Sequence, residues 1–342
     1  MNIVQLQAQS GPHLSHHETT FTVQVDVLIA LLPLVGMAYY YYGVRSLFLI
    51  LIGAGTCWIT DLLCALMTRR KVDVRDVSPL ITGLILSLML PAAAPYWMPI
   101  VGGVFAVALV KQAFGGLGNN IFNPAAGGVA FLSICFPAQM FSYSAPFASL
   151  ELWTNEVSAT LQQSPANMLK YGGMPSLTTM DLVLGNFAGP MGTTNLLVMV
   201  ACLLFLLVRK AINFRIPLTF TLTVATFSYL FPRLSSSPAA SVLYECFAGM
   251  VLFAGFFMAT DPVTAPKTKA GKYIFGFGCG LFTMLFQYFG AFELGAPFAL
   301  LLMNTTSMAL DRMVMSLRFG WNRPRLSRST RLPGYRRPPK PM

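Results

Sequence analysis

The chain has 342 residues, 55% of them apolar and only 10% charged. Soluble domains carry about 25% charged residues, so too little charge is available to cover a water-exposed surface, which argues against a water-soluble globular enzyme. Lys and Arg number 23 against 12 Asp and Glu, a formal charge of +11; in so apolar a chain this excess points to loops facing anionic lipid and not to nucleic acid.

Residues 1–20 are polar, lack Lys and Arg, and do not resemble a cleaved signal peptide. Ten hydrophobic stretches follow, near 24–43, 46–66, 78–91, 95–112, 124–141, 194–208, 216–232, 240–260, 273–290 and 294–311. Most approach the roughly 20 residues that a helix needs to cross a bilayer. If all ten cross and the N-terminus is cytoplasmic, the outer side receives only Arg45, Lys170 and Arg233. The inner side then receives Arg69, Arg70, Lys71, Arg75, Lys111, Arg209, Lys210, Arg215, Lys267, Lys269, Lys272 and the basic tail. The positive-inside bias therefore predicts both termini on the cytoplasmic side.

The third stretch of each set of five stops oddly. Residues 78–91 end at Pro91, and 246–260 run into Asp261 and Pro262. An odd number of spans per half would invert one half relative to the other, the pattern of an inverted repeat with broken helices. The expected architecture is an all-α polytopic membrane protein of about ten helices. Its parts are an N-terminal segment (1–23), a first five-helix repeat (24–141), an external loop (142–193), a second five-helix repeat (194–311) and a basic cytoplasmic tail (312–342). Proline and charge leave the tail too little apolar surface to fold by itself. The 142–193 loop is far longer than the other external connections, and long connections in compact domains are functional or disordered; its aromatic and Leu content favours order.

Histidine occurs only at 13, 16 and 17, ahead of the first apolar stretch, so neither a Ser-His-Asp triad nor a His-carboxylate metal site can be assembled in the helices. The six cysteines lie in apolar runs without a Cys-x-x-Cys pair, as small buried hydrophobes. The glycine-rich turn GGLGNNIFNPAAGG (115–128) opens a helix, and either binds an anion on its N–H groups or simply allows close helix packing. Its counterpart, 257–272, places Asp261 and Thr264 at a helix end. Among the acids, Asp61 and Glu245 are the ion-pathway candidates, with Glu245 expected to begin the broken eighth helix; Asp26 and Glu293 sit at span ends.

The segments SGPHLSHHETT, TGLILSLMLP, GGLGNNIFNPAAGGVAFL, PSLTTMDLVLGNFAGPMGTTNLL, GFFMATDPVTAPKTKAGKYIFGFGCGL and FALLLMNTTSMALDR occur in that order from residue 10 to about 312. On them the chain resembles the D subunit of the Rnf ion-translocating electron transport complex and, more distantly, the B subunit of the sodium-translocating NADH:quinone reductase. The resemblance implies a multi-pass subunit of the bacterial inner membrane that is not catalytic alone. It would carry FMN esterified through its phosphate to a threonine in a Ser/Thr-Gly-Ala-Thr motif of an external loop. It also implies further membrane and peripheral subunits as partners, among them an external FMN-carrying one, and leaves room for a second, noncovalent flavin. This chain lacks that motif. The nearest string is Ser158-Ala159-Thr160, ahead of Lys170 and Pro175-Ser176-Leu177 as in the family, so Thr160 is the lead attachment residue and Thr179, after Thr178, the fallback. Three readings stand at this point: a flavin-carrying electron-transfer subunit, an inverted-repeat transporter or channel, and a structural subunit without flavin.

Overall fold

The computed structural model describes residues 19–70, 76–153, 161–173, 175, 177–234, 237–247 and 250–319. Helix occupies all ten apolar stretches. Thr19 caps α1 (Thr20–Tyr42) by accepting from the Thr22 amide, and Gly43, at a left-handed φ of 69°, turns the chain directly into α2 (Val44–Met67). After α3 (Ser78–Leu88) the chain is irregular until α4 (Trp97–Val104), which continues as a π-helical turn, Phe105–Lys111. Asn123 and Pro124 start α5 (Pro124–Cys135), and a short α6 (Pro137–Met140) follows.

The 142–193 segment holds a two-residue antiparallel pair, β1 (Tyr143–Ser144) with β2 (Leu161–Gln162), then α7 (Pro165–Lys170) and α8 (Thr179–Leu184). The second half comprises α9 (Leu196–Val208), α10 (Arg215–Leu230), α11 (Pro238–Phe247), α12 (Val251–Phe253) running on into π-helical Ala254–Met258, α13 (Lys269–Phe289) and α14 (Ala296–Phe319).

Among the described residues, three helical segments are long and apolar enough to cross a membrane: Thr20–Tyr42, Val44–Met67 and Trp97–Phe114. A fourth qualifies if Pro238–Phe247 and Val251–Met258, which meet at 60°, form one bent span. Large apolar side chains such as Leu51, Trp58, Ile59 and Leu63 on α2 face outward, and a helix that is apolar all round belongs in a core or a bilayer. Small residues let the backbones approach. A Cβ on Gly83 of α3 would lie 2.6 Å from the Cα of Ala54 on α2, and one on Gly280 of α13 would lie 2.9 Å from the Phe220 carbonyl of α10.

Three expectations need correction. Glu245 lies near the end of α11, not at the start of the broken helix, because α11 already begins at Pro238. The second broken stretch is also interrupted earlier than Asp261–Pro262, between Phe247 and Val251. Finally, α14 continues past residue 311 to Phe319, because 312–319 holds no Pro or Gly and is rich in the helix formers Met, Leu and Arg.

Candidate functional site

Each end of the molecule carries a polar cluster. The 23 residues of α1, rising 1.5 Å each, separate the two by about 35 Å. Tyr41 and Tyr42, at one end, donate to the carbonyls of Leu184 and Gly189 in the long loop. Thr19, Thr20 and Gln24, at the other, line a cavity.

That cavity measures about 380 Å³, within the range of small-molecule sites, roughly 300–1,000 Å³. Apolar walls come from Ile81, Ile85, Leu206 and Phe257, and polar groups from Ser78, Thr82, Lys111, Asn120, Asn123, Thr260 and Asp261. Both halves of the chain contribute. Asn123 ties them together: its Oδ1 accepts from the Ala126 amide at 3.1 Å and its Nδ2 donates to the Met258 carbonyl at 2.9 Å, where the second π-helical turn ends. π-Helical turns recur at functional sites because they re-aim side chains, and here the first one aims Lys111 inward.

Lys111 is only 2% exposed. Its Nζ donates to Asp61 at 2.9 Å, Ser78 at 2.9 Å and Asp76 at 3.3 Å, while Gln112 donates to Asp61 at 2.7 Å and Gln24 to Asp76 at 3.3 Å. The first ion-pathway candidate, Asp61, is therefore one arm of a buried network bordering the cavity. Nothing in its sequence neighbourhood points to Lys111 or Gln112 as its partners, or to Asp76 as the second carboxylate on Lys111. Asp26, near the same end, pairs with Arg209 at 3.1 Å.

The loop end is equally built. Where α3 stops, its freed backbone is satisfied by other segments: Met191 and Gly192 amides donate to the carbonyls of Leu90 and Leu88. Arg45, 1% exposed, donates to the carbonyls of Ala92 (3.0 Å), Ala94 (3.1 Å) and Glu151 (2.6 Å). Irregular backbone at a broken helix is tolerated only when it is paired in this way. The second ion-pathway candidate, Glu245, faces Arg233 at 3.4 Å on this side of the molecule, and its neighbour Tyr244 donates to the Leu177 carbonyl of the loop at 2.8 Å. Asp61 and Glu245 thus belong to separate clusters.

Of the flavin candidates, Ser158 and Thr160 lie outside the described residues. Their flanks are placed: Glu151 is held by Arg45, and Leu161 pairs with Ser144. Thr179 is exposed at the first turn of α8. Thr178 is committed to capping, its hydroxyl donating to Asp181 at 2.6 Å and accepting from the Asp181 amide at 3.1 Å. Glu293, noted only as an acid at a span end, proves to be bound to the loop: Tyr143 and Ser164 hydroxyls donate to its two carboxylate oxygens.

Residues 7–320 match the model of the NQR2, RnfD, RnfE family, and the chain belongs to that family. It is 34% identical to the D subunit of the Na⁺-translocating ferredoxin:NAD⁺ oxidoreductase complex of Acetobacterium woodii, over 94% of this chain and 97% of the relative. It is 30% identical to the D subunit of the proton-translocating ferredoxin:NAD⁺ oxidoreductase complex of Clostridium ljungdahlii, over 92% and 96%. It is 31% identical to the D subunit of the ion-translocating oxidoreductase complex of Actinobacillus succinogenes, over 89% and 94%.

Proposed function

We propose that this member of the family is a subunit of an ion-translocating ferredoxin:NAD oxidoreductase complex in the bacterial inner membrane. In this reading it carries FMN on the 142–193 loop and relays electrons in step with Na⁺ or H⁺ movement. Its ten helices form two inverted five-helix units with both termini cytoplasmic. The names of the full-length relatives support membership in such a complex. They also differ in the ion they state, at similar identity, so overall similarity does not select Na⁺ or H⁺ for this chain.

The observation that carries the flavin reading is the way the loop is fastened on both sides of Thr160. Upstream, Arg45 holds Glu151; downstream, Leu161 pairs with Ser144 and Ser164 is bound by Glu293. A pore for small solutes has no need of a long, fastened external segment, whereas a cofactor carrier has to hold its cofactor at a set place. FMN supplies the electron-carrying chemistry when bound. The Thr160 hydroxyl would provide the oxygen for its phosphoester, with Ser158 and Ala159 as the small sequence neighbours that an attaching enzyme needs; exposed Thr179 is the second choice. The cavity at the other end suits a noncovalent flavin: apolar walls accept a flat aromatic ring, and Asn120, Asn123 and Thr260 offer hydrogen bonds to its polar edge. There the residues bind and orient, and Lys111 brings positive charge to the cavity wall, balanced by Asp61 and Asp76.

The test is to isolate membranes through a tag on this chain. Co-purification of further membrane subunits, with ferredoxin-dependent NAD reduction that drives ion uptake into proteoliposomes, is the expected result. Isolation of the chain as a lone transporter, active in liposomes without electron donors, would reject it.

A further inference from the structure

Glu293 lies in the turn between α13 and α14, outside both helices, and is 8% exposed. Its carboxylate binds two parts of the loop that are far apart in sequence. The Tyr143 hydroxyl, on β1, donates to Oε1 at 2.6 Å, and the Ser164 hydroxyl, just after β2, donates to Oε2 at 2.5 Å. Lys170, at the far end of α7, donates to the Gly290 carbonyl at 2.7 Å, and Gln287 donates to the Glu293 carbonyl at 3.2 Å. Among the described residues, no Lys or Arg forms an ion pair with Glu293. A buried carboxylate without a paired cation is costly unless hydrogen-bonded, so an apolar side chain would be the cheaper filler for this turn. What the carboxylate adds is two strong acceptors that hold the ends of the β1–β2 pair at once.

We propose that Glu293 is a positioning residue that fastens Tyr143 and Ser164 to the helix bundle and so fixes the β1–β2 pair of the long loop against it. The proposal rests on the reading that this loop carries flavin. Electron transfer slows steeply as redox centres move apart, so a loop released from Glu293 changes the rate without changing the amount of flavin attached.

The experiment uses the intact complex carrying Glu293→Ala, Glu293→Gln or Tyr143→Phe. Three quantities are measured: covalent flavin per chain, the rate of loop-flavin reduction by stopped-flow absorbance, and trypsin cleavage after Lys170. Glu293→Ala should keep its covalent flavin, be reduced several-fold more slowly as the loop's redox centre moves away from its electron partner, and be cut faster after Lys170. Glu293→Gln should stay within about twofold of wild type, because its amide oxygen still accepts from one hydroxyl and its NH₂ can donate to the other. Wild-type rate and protection in Glu293→Ala, or equal damage in the Gln variant, would overturn the proposal. If Glu293→Ala does not assemble, Tyr143→Phe decides: slowed reduction supports the role and an unchanged rate refutes it. Wild-type protein without covalent flavin would refute the flavin reading and with it the positioning role. Cleavage after Lys170 would still report separately whether Glu293 fastens the loop.

Discussion

Replacing Arg45 by Ala should loosen the molecule at one defined place, the joint between the broken end of α3 and the long loop. The guanidinium bridges Ala92, Ala94 and Glu151, and it lies 4.7 Å from the Tyr96 ring centroid. Hydrogen bonds from a charged donor contribute about 1.5–3 kcal/mol each. Water can reach the part-buried Glu151 carbonyl once the side chain is gone, so only the two buried bonds count in full, about 3 kcal/mol at the lower end of that range. The cation–π contact adds about 1 kcal/mol. The expected loss is therefore about 4 kcal/mol, or about 6 °C in apparent melting temperature for a chain of this size. Arg45→Lys keeps the charge but cannot fork to three carbonyls, and should lose about half as much. The assay is the monodisperse fraction after heating in mild detergent, with all variants compared at one heating rate because such unfolding is irreversible. An Ala variant within about 1 °C of wild type, a loss of less than about 1 kcal/mol where about 4 is expected, would refute this explanation of how the break is stabilised.

Thr160→Ala should abolish covalent flavin fluorescence, Thr160→Ser should retain part of it, and Thr179→Ala should leave it unchanged, as read from denaturing gels. Asn123→Ala removes the α5 cap and the bond to the Met258 carbonyl, which should cost about 2–3 kcal/mol and lower the flavin released on denaturation, measured by chromatography. Burial raises the Glu293 carboxyl above its ordinary value, against the hydrogen bonds from Ser164, Tyr143 and Asn167 that pull it down. Since the folded value lies above the unfolded one, this group favours folding most below about pH 4.3 and loses that contribution as pH rises through the folded value. The stability of wild type relative to Glu293→Gln should accordingly fall with rising pH; a difference that grows with pH would contradict the assignment.

The helices are legible in the sequence because long apolar runs and proline stops are local signals. Pro91 marks the end of the third stretch, and Asn123-Pro124 marks the start of α5. The polar clusters are not, because their members are remote from one another. Lys111 reads as one more loop cation, yet its partners Asp61 and Asp76 lie 50 and 35 residues away. Glu293 meets Tyr143 across 150 residues and Ser164 across 129. The π-helical turns have no compositional mark either: FAVALVK and AGFFM read as ordinary apolar helix. The uninterrupted apolar run 246–260 follows Glu245 and suggests the broken helix starts there, while the helix already forms at Pro238 through residues of mixed polarity.

That the 142–193 loop carries a covalent flavin is the central claim, and in-gel fluorescence of the denatured protein, followed by peptide mapping of the fluorescent band, tests it most directly. The chain should be produced together with its flavin-attaching enzyme, and the band excised and digested. One fluorescent peptide is expected, containing Thr160 and carrying the mass of FMN less water. A fluorescent peptide containing Thr179 instead would move the attachment point to α8, and a denatured band without fluorescence would contradict the claim outright.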